Sequence, residues 1–386
     1  MKRILFVDDE PQVLEALRNS LRGKRKVWDM VFQGSGAAAL AALESGPFDV
    51  IVSDMRMPHM NGVVFLSQAA KVCPGATRIV LSGHAEESML ARAAMVAHCY
   101  LTKPCANELL CATLSRALEL QDLLHNEKVR ACAGSIESLP TVPSVYRALN
   151  EALASDRASP ELVARIVADD VGMSAKLLQI VNSSFFGLPR KTTSLLQTVR
   201  YLGLATIRSL VLSHSLFEQL GQRNSALAEL GHEHALGCAR TAQQLLKGKP
   251  DAELAFTAGL LHDVGSLVLA SHMPDDYAEI RAAAAATARP IHVVEHERLG
   301  VDHAGVGAYL LGLWGLPHEV LDIVAFHHAP WPESGALDAA SAVRLADFVV
   351  SKASDGRGTA LTHAEPPPQG WLDASGGAAA LLQENP

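Results

Sequence analysis

Apolar positions in the first third of the chain fall into short β-type runs that alternate with helix-type segments. Five such runs predict strands: Ile4–Val7, Trp28–Phe32, Val50–Ser53, Arg78–Leu81 and Cys99–Leu101. The segments between them, including Val13–Arg22 and Gly36–Leu43, carry apolar residues at helical spacing. Because strands and helices that alternate at this interval form βαβ units, we predict a parallel sheet covered by helices on both faces.

The pattern changes after Gly134, where helical periodicity continues and no convincing strand follows. Ser159, Pro160 and Glu161 form a strong helix start, with a capping hydroxyl, a proline in the first turn and an acid at the positive end of the helix dipole. Eight further stretches have helical periodicity: Leu162–Val167, Ala175–Val181, Leu195–Leu202, Ile207–Phe217, His234–Leu246, Ala252–Ala270, His303–Leu313 and Val343–Ser351. The second part of the chain is therefore predicted to be all-α.

One helical pattern without a breaker runs from Glu108 to about Arg130. Its apolar residues lie near heptad spacing: Leu110, Leu114, Ala117 and Leu124. Either this helix packs on its own sheet, or it is extended and also forms a homodimer with a second subunit; Gln121 on the seam weakens the second alternative. We predict an α/β domain over 1–120, a linker helix over 121–134, an all-helical domain over 135–355 and a flexible Pro/Gly/Ala-rich tail over 356–386.

Composition narrows the functional classes. The 386 residues are 49 % hydrophobic and 19 % charged, which suits two globular domains. A net charge of −8 without a dense Lys/Arg run disfavours DNA binding. Six scattered cysteines without a CxxC pair indicate reduced thiols. The apolar stretch 254–270 is interrupted by His262 and Asp263, which make it too polar to span a bilayer. We therefore predict a cytoplasmic protein with neither DNA nor membrane as a partner.

Residues of complementary chemistry stand at the predicted strand ends. Asp8 and Asp9 follow the first strand, Asp54 the third and Lys103 the fifth, while Ser82 ends the fourth. Since the carboxyl ends of parallel strands line one ligand crevice, these five side chains should converge. Three carboxylates form a hard oxygen site suited to Mg²⁺, beside which an aspartate would attack phosphorus while a hydroxyl and an ammonium hold the phosphoryl oxygens. Each residue alone would serve equally as a cap or loop residue; the set of five favours phosphoryl transfer.

Residues 1–120 resemble the response-regulator receiver family through the motifs VDDE, SDMRMPHMNG, LSGH and LTKP, in that order. The resemblance implies that Asp54 is the phosphoacceptor, that Asp8 and Asp9 bind Mg²⁺, and that Ser82 and Lys103 sense the phosphoryl group. It also implies a flavodoxin-like (βα)5 fold and a sensor histidine kinase as partner.

Three finer features follow from the same resemblance. The backbone carbonyl of Arg56 would be a further Mg²⁺ ligand, and Tyr100 matches the aromatic residue that changes rotamer in this family. The Lys103–Pro104 bond matches the family's usual cis peptide.

Metal-ligating residue types recur along the helical part in a suggestive order: His234, His262, Asp263, His303, His327, His328 and Asp347. Imidazoles and carboxylates from several helices can form one or two metal sites in a bundle core, suited to Fe, Mn or Zn and to hydrolysis of phosphoesters. The alternative is a buried polar network in which each histidine pairs with a neighbouring acid and no ion is bound. Spacing alone leaves both alternatives open.

Residues of about 135–350 resemble the HDOD family, a relative of the HD and HD-GYP phosphohydrolases. The motifs that carry this resemblance are SLPTVPSVYRALN, DDVGMSAKLLQIVNSSFFG, VRYLGLATIRSLVL, AGLLHDVGSLVL, DHAGVGAYLLGLWGLP and FHHAP. It implies an HD-type metal position at His234, His262, Asp263 and Asp347, with His303, His327 and His328 at the additional positions used by two-metal HD-GYP enzymes.

Two departures from the enzymes bear on function. Ser266 stands where HD-GYP enzymes carry lysine, and no Gly-Tyr-Pro follows His328. We therefore predict a two-component response regulator whose helical output domain contacts downstream signalling proteins. The alternative is a receiver-controlled, metal-dependent phosphohydrolase of cyclic dinucleotides or other nucleotides. A third hypothesis has the helical domain bind a nucleotide second messenger without cleaving it.

Overall fold

The computed structural model describes residues 1–83, 96–123, 126–134, 136, 143–155, 158–183, 188, 191–212, 225–332, 336–354 and 366–374. Five strands form the N-terminal sheet: β1 Lys2–Val7, β2 Trp28–Gln33, β3 Val50–Ser53, β4 Thr77–Ser82 and β5 Cys99–Thr102. All pairings are parallel and the spatial order is β2-β1-β3-β4-β5. This is the flavodoxin-like arrangement, so the predicted fold class is confirmed.

Helices cover both faces of this sheet. They are α1 Pro11–Ser20, α2 Gly36–Glu44, α3 Gly62–Val72 and α4 Asn107–Leu123, with a short 3₁₀ helix over Arg22–Lys24. Alternate residues of each strand face opposite layers: Ile4 and Phe6 pack with Leu114 of α4, whereas Leu5 packs with Phe65 of α3. Burial on both faces explains why the central strands read as continuous apolar runs.

The helix predicted from Glu108 to Arg130 is in fact two helices, α4 and α5 Glu127–Gly134. The Asn126 side chain accepts hydrogen bonds from the backbone N–H groups of Lys128 and Val129, so it starts the second helix as a cap.

The heptad positions of α4 are buried inside the chain rather than on a dimer seam. Leu110, Leu114 and Ala117 pack against the sheet, and the Gln121 amide donates to the Asp49 carbonyl at 2.6 Å. Leu124 lies outside the described residues. This helix therefore packs on its own sheet, as the first of the two alternatives predicts. These side chains are not available to a second subunit.

The second part of the chain is all-helical over its described residues. Its helices are α6 Pro143–Ala154, α7 Pro160–Ala168, α8 Val171–Val181, α9 Leu195–Leu212, α10 Ser225–Leu245, α11 Ala252–Leu261, α12 Val264–His272, α13 Pro274–Thr287, α14 Ile291–Leu299, α15 His303–Leu313, α16 His318–Phe326, α17 Ala339–Ser354 and α18 Gln369–Ala374. The Ser159 hydroxyl accepts from the backbone N–H of Leu162, as the cap at this helix start predicts. The two helices predicted on either side of position 203 meet within α9 at a kink, where Gly203 has non-helical backbone angles with φ 75°.

The helix predicted over Ala252–Ala270 is divided at His262 and Asp263 into α11 and α12. Ala252–His272 has the length and apolar composition of a membrane span, with a mean hydropathy of 1.4, but 78 % of that window is buried among the other helices. We interpret it as the core of the helical part.

The C-terminal tail differs from the flexible segment predicted over 356–386. Residues 366–374 are described, and α18 packs against the helical part through Trp371, whose ring lies 4.7 Å from the Trp331 ring. The hydrophobic energy of a buried tryptophan explains why this short helix docks. Residues 355–365 and 375–386 lie outside the described part of the chain.

Candidate phosphorylation site and candidate metal centre

The predicted convergence of charged side chains at the sheet's carboxyl edge is present in the structure. Lys103 Nζ lies 2.6 Å from Asp8 Oδ2 and 2.5 Å from Asp54 Oδ1. Asp8 and Asp54 are only 2 % and 7 % exposed, whereas Asp9, two residues after β1, and Ser82, the last residue of β4, are half-buried. The backbone N–H of Arg56 donates to Asp54 Oδ2.

The charges of this cluster do not balance. Burial raises the pKa of Asp54, the Lys103 ammonium opposes that rise, and the Asp8 carboxylate adds to it. Burial likewise disfavours the Lys103 ammonium, but Asp54 and Asp8 outweigh it and hold the pKa of Lys103 above its usual value. Two buried carboxylates therefore share one ammonium, with Asp9 adjacent. An excess of hard oxygen donors over cations fits a divalent metal such as Mg²⁺.

The loop after β3 is built closely around Asp54. A Cβ on Gly62 would lie 2.1 Å from the Asp54 carbonyl oxygen, so only glycine fits there. The Asn61 side chain accepts from the Val64 N–H and starts α3, and the Gly62 N–H donates to the Met55 carbonyl. The Lys103–Pro104 peptide is cis, as the resemblance implies. This part of SDMRMPHMNG thus holds the Asp54 backbone in place.

The metal-type residues of the helical part also come together. They lie on or beside six helices: His234 in α10, His262 and Asp263 between α11 and α12, His303 at the start of α15, His327 and His328 after α16, and Asp347 in α17. Two glycines allow these helices to approach. A Cβ on Gly259 would lie 3.0 Å from Ala239 Cα, and one on Gly265 would lie 2.0 Å from the His303 carbonyl oxygen.

The ligand atoms form two adjacent groups joined by Asp263. In the first group, His234 Nε2 lies 3.1 Å from Asp347 Oδ1, and His262 Nε2 lies 3.9 Å from that oxygen. In the second, His303 Nε2 lies 2.8 Å from His328 Nε2. Asp263 points Oδ2 at the first group, 3.6 Å from His262 Nε2, and Oδ1 at the second, 3.1 Å from His303 Nε2.

Backbone carbonyls orient two of these imidazoles toward the centre. Nδ1 of His262 lies 2.7 Å from the Gly259 carbonyl oxygen and Nδ1 of His327 lies 2.8 Å from that of Val324. Because a carbonyl only accepts, each Nδ1 carries the proton and each Nε2 presents a lone pair. Both Nε2 atoms and Asp263 Oδ1 are buried without a hydrogen-bond partner. Lone pairs aimed inward with no donor opposite them fit a bound cation.

Without a cation, two protonated histidines would partly compensate the acids. Burial disfavours charge on His234, but Cys238 and Asp347 outweigh it and raise its pKa well above the usual range. Burial also opposes charge on His303, and the carboxylates of Glu295 and Asp263 raise its pKa in the same way. The buried polar network considered above is therefore self-consistent for these two histidines, although it leaves the Nε2 atoms of the other two unsatisfied.

Two residues of this centre, Glu295 and Cys238, were not predicted from the sequence. Glu295, fully buried in α14, accepts from the His303 N–H at 2.8 Å and lies 2.6 Å from His303 Nδ1, while the Tyr277 hydroxyl donates to its other oxygen at 3.0 Å. Cys238, one turn after His234, places Sγ 3.5 Å from His234 Nε2. The i, i+4 spacing of His234 and Cys238 was the available signal for the cysteine, whereas nothing in the sequence marks Glu295.

Two family models match this chain, one over each of its two parts. The response regulator receiver domain model matches residues 4–115, and the HDOD domain model matches residues 139–330. The chain is a receiver–HDOD response regulator. Receiver domains bind Mg²⁺ and HD-type domains bind metals, and the described part of this chain contains groups of residues that could hold a metal ion.

Individual relatives match parts of the chain. An uncharacterized protein of Treponema pallidum (strain Nichols) is 27 % identical over 199 residues, which are 51 % of this chain and 39 % of that protein. The transcriptional regulatory protein GlrR of Escherichia coli (strain K12) is 32 % identical over 117 residues, 30 % of this chain and 26 % of that protein. The chain thus spans less than two fifths of the length of these curated relatives.

A solved structure supports the fold. The MmoQ response regulator of Methylococcus capsulatus str. Bath superposes with a TM-score of 0.51 and 24 % identity, covering 64 % of this chain and 98 % of its own.

The receiver and HDOD domains share a buried interface at strands β4 and β5. Arg78 of β4 is fully buried; its Nε donates to the Val96 carbonyl at 2.6 Å and its Nη1 to the carbonyl of Gly134, the last residue of α5, at 2.9 Å. The Gln179 amide of the HDOD domain lies 3.4 Å from the Ala97 carbonyl oxygen. A cavity of about 410 Å³ adjoins this interface, bordered by Tyr100 of the receiver and by HDOD residues such as Lys191 and Trp314.

His98 makes the interface sensitive to acid. Its Nδ1 accepts from the Arg78 N–H at 3.0 Å, so the other nitrogen carries the proton and points at the Gly134 carbonyl at 3.0 Å. Burial above all, and then the Arg78 charge, hold its pKa well below the usual range. The folded chain therefore keeps His98 neutral under conditions in which the unfolded chain protonates it.

We expect His98 to lower the unfolding free energy as the pH falls below about 6.5, by up to about 1.4 kcal/mol per pH unit, because only the unfolded state then takes up the proton. Urea titrations of the wild-type and His98→Asn chains at about pH 7.5 and about pH 5.5 measure this contribution. The wild type should have the higher unfolding free energy, and its difference from the variant should shrink at the lower pH. An equal difference at both pH values would show that folded His98 is protonated.

Proposed function

We propose that a sensor histidine kinase phosphorylates Asp54 and that the HDOD domain transmits the signal to downstream proteins. The observation that carries this proposal is the Lys103 bridge to Asp8 and Asp54, because it places a nucleophilic carboxylate beside a phosphoryl-binding ammonium at the end of strand β5. The same strand packs against the HDOD domain, so phosphorylation at one end of the strand can alter the contacts between the two domains.

Asp54 Oδ1 attacks the phosphorus of the donor, and the bond between phosphorus and the kinase histidine breaks. Lys103 then exchanges its contact with Asp54 Oδ1 for the oxygens of the new acyl phosphate, and the Ser82 hydroxyl donates to another. Asp8, Asp9, Asp54 and the Arg56 carbonyl would hold Mg²⁺, which when bound offsets the charge of the incoming phosphoryl group.

The signal passes through β4 and β5 in this proposal. Ser82 ends β4 and Lys103 follows β5, so new contacts to the phosphoryl group draw both strand ends toward Asp54. Tyr100, buried in β5 and bordering the interdomain cavity, changes its packing with them. The interface formed by Arg78 of β4 and by Gln179 of α8, which contacts Ala97 just before β5, then shifts. This shift changes the surface that the HDOD domain offers to partners.

The HDOD centre is proposed to bind one or two transition metals among Fe, Mn and Zn. The support is the inward-facing Nε2 atoms of His262 and His327, which are buried without a hydrogen-bond partner. Hydrolysis of cyclic dinucleotides has weaker support. Ser266 replaces the lysine of HD-GYP enzymes, and the side chains of Asp263 and Asp347 are only 9 % and 1 % exposed.

We place the protein in the cytoplasm, where a sensor kinase presents its phosphohistidine.

Hydrogen exchange of the full chain with and without beryllofluoride, an acyl-phosphate mimic, tests the proposal. With Mg²⁺ present, the mimic should change exchange in α5, in α8 around Gln179 and in β5 by at least about threefold, since altered local opening free energies change protection directly. Asp54→Asn should give no change, and Asp29→Asn, which alters an exposed receiver aspartate, should respond like the wild type. If wild-type exchange and oligomeric state stay the same with the mimic bound, the proposed switch is wrong.

A further inference from the structure

The first group of the HDOD centre contains a sulfur ligand that HD-type motifs do not include. Sγ of Cys238 and the ligand atoms of His234, His262 and Asp347 all lie within 4.8 Å of one another. All four residues are at least nine-tenths buried. Cys238 is therefore enclosed with three recognised ligand types, unlike the other cysteines of the described chain, none of which joins such a group.

We infer that His234, Cys238, His262 and Asp347 form a closed four-ligand site for zinc, with the Cys238 thiolate as a ligand. The inference rests on the metal centre proposed above and deepens it by naming the metal and the state of the site. The inward lone pair of His262, fully buried and without a donor opposite it, points independently to an ion at this place.

The distances match tetrahedral zinc. Zinc bonds of about 2.3 Å to sulfur and about 2.0 Å to nitrogen or oxygen, at tetrahedral angles, separate sulfur from nitrogen by about 3.5 Å and nitrogen from oxygen by about 3.3 Å. Sγ of Cys238 lies 3.5 Å from His234 Nε2, and His234 Nε2 lies 3.1 Å from Asp347 Oδ1. His262 Nε2, 3.9 Å from Asp347 Oδ1, needs a small movement to complete the tetrahedron.

Helix geometry and the surrounding groups hold these ligands in place. His234 and Cys238 are four residues apart in α10, so both side chains face the same side of that helix. The Ser351 hydroxyl donates to Asp347 Oδ1 at 3.1 Å from the next turn of α17, and Gly259 orients His262 through its carbonyl. Such outer hydrogen bonds fix ligand orientation in metal sites.

A sulfur ligand changes what the centre can do. With Cys238 as the fourth ligand, the first position is complete without Asp263, whose Oδ1 lies 3.1 Å from His303 Nε2 in the second group. A site closed by four protein ligands in this way is structural, whereas catalytic zinc keeps an open position. A thiolate also favours zinc over manganese and magnesium, which prefer oxygen ligands.

Cobalt substitution of the full-length chain tests the inference. Purified protein, stripped of metal and titrated with Co²⁺, should show a near-ultraviolet thiolate-to-cobalt charge-transfer band together with the intense visible bands of a tetrahedral site. Cys238→Ser should lose the charge-transfer band and bind zinc at least about tenfold more weakly, because loss of even an outer hydrogen-bond partner of a ligand costs about 10- to 100-fold in affinity. Cys132→Ser, a change at another buried cysteine, should leave both properties as they are.

The wild-type protein provides a measurement that requires no variant to fold. X-ray absorption at the zinc edge should show one sulfur at about 2.3 Å. If the wild type binds cobalt without the charge-transfer band or zinc without sulfur, the thiolate site is wrong while the proposed metal centre stands. If the wild type binds neither ion, both are wrong, and the proposed phosphorylation of Asp54 is unaffected because the exchange experiment tests it separately.

Discussion

Replacing Arg78 by Met is expected to lower the unfolding free energy by about 3 kcal/mol and to uncouple the two domains. The guanidinium is fully buried, and it satisfies the carbonyls of Val96 and Gly134. A buried acceptor left without a donor costs about 1–3 kcal/mol. His98 retains its contact with Gly134, so the larger share of the loss comes from Val96.

The same substitution separates phosphorylation from transmission. Arg78 lies near the start of β4, whereas Ser82 ends that strand on the side of the proposed phosphorylation site, so Arg78→Met should accept the acyl-phosphate mimic normally. The backbone amides at the interface between its two domains, however, should exchange hydrogen as fast without the mimic as with it. Chemical denaturation and hydrogen exchange measure the two effects. Arg200→Met, which removes an exposed ion pair with Glu161, should leave the unfolding free energy close to that of the wild type.

A stable Arg78→Met chain with a protected interface would show that the interdomain contact does not depend on this network. Apolar packing around α5, where Val129 and Ala133 are fully buried, would then hold the domains together. The response of that variant to the mimic would still report on transmission.

The receiver fold could be predicted from the sequence because its signals are local. A strand buried on both faces must be a continuous apolar run, and the chemical residues follow directly at its end, so Asp54 after Val50–Ser53 could be located without a structure. The helix break near Asn126 was missed for the opposite reason. Asparagine is only a moderate breaker, and its capping role becomes clear once the amides that it accepts from are known.

The members of the HDOD centre were predictable only in part. Histidines and acids stand out in an apolar sequence, and all seven predicted residues lie together. Glu295 and Cys238 join them through helix packing that no local pattern encodes. The interdomain contact was beyond prediction for the same reason, since a buried arginine such as Arg78 reads as a surface residue in any sequence pattern.

Replacing Gly265 by Ala is expected to be the most damaging single change in the HDOD domain. The new Cβ would lie 2.0 Å from the His303 carbonyl oxygen and 2.8 Å from the Gly307 nitrogen, and both are backbone atoms of α15 that cannot rotate away. Helices α12 and α15 must therefore separate. We expect a loss of at least about 3 kcal/mol in unfolding free energy, the range that overpacking of a rigid contact reaches.

Separation of these helices also moves His303 away from Asp263, so metal bound by the second group should be lost even where the domain remains folded. Elemental analysis of bound metal and thermal denaturation measure the two effects. Gly231→Ala is the matched control, because its Cβ would meet only the flexible end of Leu267 at 3.2 Å and alanine is favoured within a helix by about 1 kcal/mol. If Gly265→Ala is as stable as Gly231→Ala and retains its metal, the close approach of α12 and α15 is not what assembles the centre. The inward-facing imidazoles of His262 and His327 would then have to bring the ligands together through the ion itself.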